Sequence, residues 1–265
     1  MAPKTPFPFA ASGGFIAFLF FSGLVTGAPA QPTNNPVFAA RAAAEFHRAQ
    51  NQFQSDTNDP AAAWQFGRAC FDLADFATND TERAATAQQG IGACRGLLAR
   101  ETNCAPGHYY LAMNYGQLAQ AEAPSLAAYR LVREIEREFK TAAALDEHFD
   151  YAGPARGLGL LYRDAPVWPF SIGSRRKARE WLEQAAKLAP DYPENRLNLV
   201  ESYLQWRERA EAKRDLQTLE TLWPKAKTNL VGEVWEQSWA DWTTRKKTAE
   251  QSLAEPARPA ESPKD

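Results

Sequence analysis

The chain is poor in the residues from which reactive centres are built. It has 265 residues but only three histidines, three cysteines and two methionines. His47, His108 and His148 share no metal-ligand spacing, and Cys70, Cys94 and Cys104 fit no zinc or redox motif. No serine sits in a nucleophile elbow, and no glycine-rich strand-to-helix loop exists to cradle a phosphate. Glu147-His148-x-Asp150 is a possible hard-ligand cluster, but at a helix end it reads as solvated; Glu134, Glu136 and Glu138 read as the exposed face of a charged helix. These absences predict a protein that is not an enzyme and has no cofactor and no metal. Runs of alternating β-branched residues are missing too, which excludes a sheet. With 30 basic residues against 32 acidic ones, the charge gives no attraction to nucleic acid or anionic lipid.

No apolar run approaches the roughly 20 residues that a membrane-spanning helix needs. The longest, Phe15 to Val25, follows Lys4 and precedes Ala28-Pro29-Ala30, the small-x-small pattern of a signal-peptidase site. Residues 1–30 are therefore expected to be a cleavable signal peptide, with the cut after Ala30 and a periplasmic or secreted product. An uncleaved interfacial anchor is the alternative. No cysteine stands at the cut to carry a lipid. Removing the segment takes away Lys4 and no acidic residue, so the net charge of −2 becomes one unit more negative. Residues 254–265, rich in Pro, Ala and charge, have nothing to bury and are expected to be a disordered tail. In an oxidising compartment the three cysteines allow one disulfide in any of three pairings; the alternative is that all three are small buried apolar residues.

What the chain does contain is a repeat. Ala178-x3-Leu182-x2-Ala185-x4-Pro190 recurs downstream as Ala212-x3-Leu216-x2-Leu219-x4-Pro224, with one offset from Ala178 to Ala212 and from Pro190 to Pro224. A small residue followed by large apolar ones at four and seven makes one stripe on a helix. The small residue admits a neighbouring helix, and the proline ends the turn because it lacks a donor. Weaker copies begin at Ala42, Cys94 and Ile135. The offset resembles the period of the tetratricopeptide repeat (TPR), about 34 residues. Cys94 to Ala178 exceeds two such periods by about half a period, and the stretch 164–174 is expected to hold most of that excess.

The resemblance implies an all-α, tetratricopeptide-like α-solenoid over residues 31–253, with about four helical hairpins and a C-terminal capping helix. Helices are expected at 36–54, 60–77, 81–101, 107–121, 124–145, 152–163, 174–189, 193–207, 210–222 and 229–253. Asp59-Pro60 and Asn79 supply caps for two of them. Trp235, Trp239 and Trp242 recur at helical spacing with Val231 before them, either closing the open end of the core or forming an aromatic platform.

The segment from Tyr151 to Ser174 is the least ordinary. Gly157 and Gly159 within a helix cost up to about 1 kcal/mol each relative to alanine, which points to close helix approach. Arg156 is expected to turn inward to a carboxylate or to helix-end carbonyls. The loop that follows carries Trp168 and Phe170 between prolines, either as an exposed contact site or folded back onto the groove. With the repeat helix that follows, this segment resembles the T-component proteins of TRAP transporters (tripartite ATP-independent periplasmic transporters). That resemblance implies a helical array around a cleft that takes a small organic ligand.

Two functions follow as expectations. In the first, the first helices of the hairpins line a concave groove that binds a segment of a partner protein. The register of such arrays points Gln65, Asp72, Tyr110, Met113, Gln117, Glu194 and Glu201 into that groove. In the second, a small organic ligand lies in a cavity near Tyr109, Tyr110, Arg156, Tyr162 and Trp168, with Arg156 meeting an anionic group. Phe170 belongs with Trp168 in either case.

Overall fold

The computed structural model describes residues 35–255 except Trp168. The expected signal peptide, nearly all of the expected C-terminal tail and Trp168 thus lie outside the described residues. Among the described residues ten α-helices follow in order: α1 (Pro36–Ser55), α2 (Pro60–Ala74), α3 (Asp80–Leu98), α4 (Ala105–Ala121), α5 (Leu126–Leu145), α6 (Phe149–Asp164), α7 (Arg175–Leu188), α8 (Pro193–Gln205), α9 (Arg209–Asn229) and α10 (Glu236–Ala254). A 3-10 turn, Glu233–Trp235, precedes α10. Among the described residues there is no strand, and no helix is long and apolar enough to cross a membrane.

Helix starts follow local chemistry. Asn35, Asp59, Asn79, Ser125 and Ser174 each accept a backbone N–H two or three residues on. Asp59 and Asn79 do so at 2.9 Å, and Glu82 reaches back to the Thr78 amide. These bonds satisfy donors that the first turn of a helix leaves open.

Each helix packs on the next, and α2, α4, α6, α8 and α10 also pack on one another in turn. The result is the expected solenoid: hairpins α2–α3, α4–α5, α6–α7 and α8–α9, with α10 as the cap. The first helices form an inner layer buried on most sides, whereas each second helix buries one stripe. Ile135, Phe139 and Ala142 of α5, Ala178, Leu182 and Ala185 of α7, and Ala212, Leu216 and Leu219 of α9 are those stripes. α1 carries the same stripe, with Phe46 and Ala49 buried, but no described helix precedes it.

The two helix glycines mark close approach. A Cβ on Gly157 would stand 2.6 Å from the Phe139 ring, and one on Gly159 would stand 2.5 Å from Leu182. α6 thus runs between α5 and α7 at a distance that alanine would not permit.

Three expectations need correction. α9 does not end before Pro224 but runs through it to Asn229. Burial of Leu222, Ala226 and Leu230 around the proline offsets the bond it cannot donate. The last helix consequently begins at Glu236 rather than at 229. Gly232 at φ +99° turns the chain, and Val231 is left exposed. The weak copy read from Cys94 also shifts: the buried stripe of α3 is Ala87, Ile91 and Cys94, whereas Leu98 is half-buried and Glu101, beyond the helix, is exposed.

The tryptophans close the core. Trp235 and Trp242 are buried, Trp239 meets Trp242 edge-on at 5.0 Å, and Tyr192 meets Trp242 at 5.3 Å. Cys70 and Cys94 are buried and Cys104 half-buried, all with unlinked thiols that burial pushes to higher pKa. They pack as small apolar side chains and are poor nucleophiles.

Candidate binding groove

The inner layer curves until the two ends of the array face each other across a cavity of about 810 Å³. α2 forms its floor with one helical stripe that includes Trp64, Gln65, Arg68 and Asp72; α1 forms one wall from Phe38 to Gln52; Glu233, Val234, Gln237 and Ser238 form the other. Across the mouth, Arg41 of α1 meets Glu236 at 2.5 Å and Glu233 at 3.9 Å, all with exposed side chains.

The lining is mixed. Trp64 is half-buried and stacks on Tyr110 of α4, with ring centroids 5.9 Å apart and planes within 6°. Arg68 and Asp72 pair at 3.4 Å one turn apart. Burial works against the Arg68 charge, but the Asp72 and Asp150 carboxylates pull the other way and the group stays protonated. Arg48 pairs with Glu45 on the α1 wall. An aromatic face flanked by charges of both signs suits an amphipathic surface better than a purely apolar one.

Beneath this floor lies a buried polar network that the sequence foretold only in part. The first turn of α6 is left-handed at Asp150, Tyr151 and Ala152, with φ of 50°, 55° and 64°. Right-handed helix then begins at Gly153, with Pro154 in its first turn. Three such residues cost roughly 1–2 kcal/mol each, so other groups must hold the turn. Arg156 donates to the carbonyl oxygens of Asp150 and Tyr151 at 3.2–3.3 Å and to the Asp150 carboxylate at 2.9 Å. Asn195 donates to the Tyr151 carbonyl at 3.0 Å. Tyr109 donates to Asp150 at 2.8 Å, and Glu194 stands 4.0 Å from the Arg156 guanidinium. Burial raises the Asp150 pKa, with Arg156 and the Tyr109 hydroxyl pulling it back.

The expected site residues therefore separate. Tyr109, Tyr110, Arg156 and Glu194 come together around Asp150, but as a buried support: the Arg156 side chain is 6% exposed and fully engaged. It is not placed to meet an anion from solvent. Met113 is buried on α4, and Gln117 accepts from Arg83 at 2.7 Å while donating to Asp75. Glu201 takes two 2.8 Å bonds from the buried Arg245 and so ties α10 to α8. Tyr162 is buried with its hydroxyl on Glu136 and the Lys177 ammonium 4.9 Å from its ring, away from the cavity. Phe170 is 78% exposed on the α6–α7 loop. Gln65 and Asp72 do line the cavity.

Trp64, Arg68, Phe38 and Arg41 were missed. Their signal was present as a stripe at steps of three and four along α2 and α1, but a stripe facing a void looks in sequence like one facing a helix. Among the described residues no group of three His, Cys, Asp or Glu is placed to hold a metal ion.

The geometry belongs to a known class. The crystal structure of TTC0263, a thermophilic TPR protein of Thermus thermophilus, superposes with a TM-score of 0.59, covering 83% of this chain and 97% of that one at 20% identity. At that identity the likeness shows a tetratricopeptide-like fold. Yeast Tom70 aligns over 91% of this chain and 68% of that one at 11% identity, with a TM-score of 0.29 that carries no argument. No family model and no curated protein sequence matches the chain.

Proposed function

We propose that the chain is an exported helical scaffold that binds a segment of a partner protein on its inner face, without catalysis. The observation carrying this is the cavity, where Trp64, Arg68 and Asp72 of a first helix remain accessible while the other first helices are buried. Partly buried aromatic and arginine side chains beside one another are the usual anchors of protein contacts. Tyr110 acts from beneath by fixing the Trp64 ring, and exposed Phe170 supplies a second contact on the outside. Export rests on the sequence of residues 1–30, and the mature chain should begin at Gln31, a point that N-terminal sequencing of the protein from its own compartment decides.

A small organic ligand is the second reading. It is supported by the resemblance to the T-component proteins and by the cavity volume, within the range of roughly 300–1,000 Å³ usual for such sites. Any anionic group would then meet Arg68 or Arg48 rather than Arg156. Native mass spectrometry of the protein from its own compartment separates the two. A second polypeptide, lost with Trp64→Ala, supports the scaffold. A small adduct that leaves on denaturation replaces it with the carrier.

A further inference from the structure

Each first helix of the array has the same setting. It packs on its own second helix and on the first helix that follows, as α4 packs on α5 and α6, and α6 on α7 and α8. α1 has the stripe of a second helix, and α2 is the first helix after it. A first helix paired with α1 would therefore lie against α1 and α2. Those two helices bound the cavity, α1 from Phe38 to Gln52, and α2 with the turn after it from Ala61 to Phe76, each through residues three and four apart.

We propose that the cavity is a first-helix position that no described residue fills, and that an amphipathic helix of the partner protein fills it and completes the first hairpin. This rests on the scaffold reading and specifies what the scaffold binds. α2 is 15 residues long, about 22 Å of helix at roughly 1.5 Å per residue, so the slot accepts about four turns lying along it. Its chemistry selects the occupant. Arg41, Arg48 and Arg68 stand with Glu45, Asp72 and Glu233 around the apolar faces of Phe38 and Trp64. A helix with an apolar stripe flanked by both charge signs matches this surface. The chain's own apolar run, Phe15 to Val25, has no charge and would cover six ionised groups with hydrocarbon, so it is the worse occupant. The Arg41 pairs to Glu233 and Glu236 bridge the slot's mouth and must part as the helix enters.

The test is selection from a phage library of helical peptides, each about 18 residues or five turns long, against the purified chain starting at Gln31. The expected winners carry an apolar stripe with both charge signs, and lose at least tenfold in affinity against Arg68→Glu and against Ala61→Trp. Ala61 is an exposed helix position, so tryptophan there fills the slot without disturbing the core. Recovery of no helical peptide overturns the proposal. So do winners indifferent to Ala61→Trp; if those are lost with Phe170→Ala, the slot falls while a scaffold remains. A chain retaining residues 1–30 that refuses the same peptides assigns the slot to its own N-terminal segment. A dimer abolished by Ala61→Trp assigns it to a second copy. Either result overturns the partner helix.

Discussion

Arg156 does at one point what several weaker contacts do elsewhere. Its guanidinium neutralises Asp150, whose side chain has no exposed surface, and caps the carbonyls of a left-handed turn. Removing one member of a buried charged pair leaves the other uncompensated. Arg156→Leu should therefore cost roughly 3–5 kcal/mol in urea unfolding. Arg156→Lys should recover little, because one ammonium cannot reproduce the forked contacts to carboxylate, carbonyls and Asn195. The Asp75 carboxyl is perturbed in the same direction as that of Asp150. Burial pushes its carboxyl up to about 7, against the pull of the Gln117 hydrogen bond and with Asp72 adding repulsion. A carboxyl whose folded pKa lies above its unfolded value costs no stability at low pH, where both states hold the proton. The penalty grows as pH rises from about 4 to 7 and is constant above that. Asp75→Asn should thus raise the thermal midpoint, and by more at pH 8 than at pH 5.

At the scale of the helix, the sequence was informative wherever a boundary had a local cause. Asp59-Pro60, Asn79 and Ser174 start helices because their side chains accept the first open amides, and those starts were legible to within a residue. The repeat stripe at Ala178 and Ala212 was legible because packing enforces it. Pro224 misled because its effect is settled by what is buried around it, and Gly232, not the proline, makes the break. The cavity lining was legible only at Gln65 and Asp72, since the register of a repeat tells which face turns inward but not which inward residues a neighbour covers. Arg156 was rightly read as turned inward, yet nothing local announced the left-handed turn it holds. Gly159 offers a check on the helix spacing. A methyl there meets Leu182 at 2.5 Å, so Gly159→Ala should lower stability by about 1–3 kcal/mol despite its better helix propensity, measured by chemical denaturation. A gain in stability would mean that α6 and α7 lie farther apart.

Across the whole molecule, the Arg41 side chain ties one end of the array to the other. Arg41 and its two glutamates are exposed, and solvent screens pairs of that kind so that they add little to stability. Arg41→Ala should accordingly leave the unfolding midpoint nearly unchanged. It should still lengthen the distance between spin labels at residues 45 and 237 measured by electron paramagnetic resonance. An unchanged distance would show that the ends are held by the curvature of the array itself. The same geometry has a consequence in time. Every packed helix interface joins neighbours, or neighbours once removed, along the chain. Such short-range contacts form quickly and can propagate from any hairpin. The Arg41–Glu236 contact instead closes a loop of 195 residues and has little enthalpy to reward it. It should form last in folding and open most often in the native state.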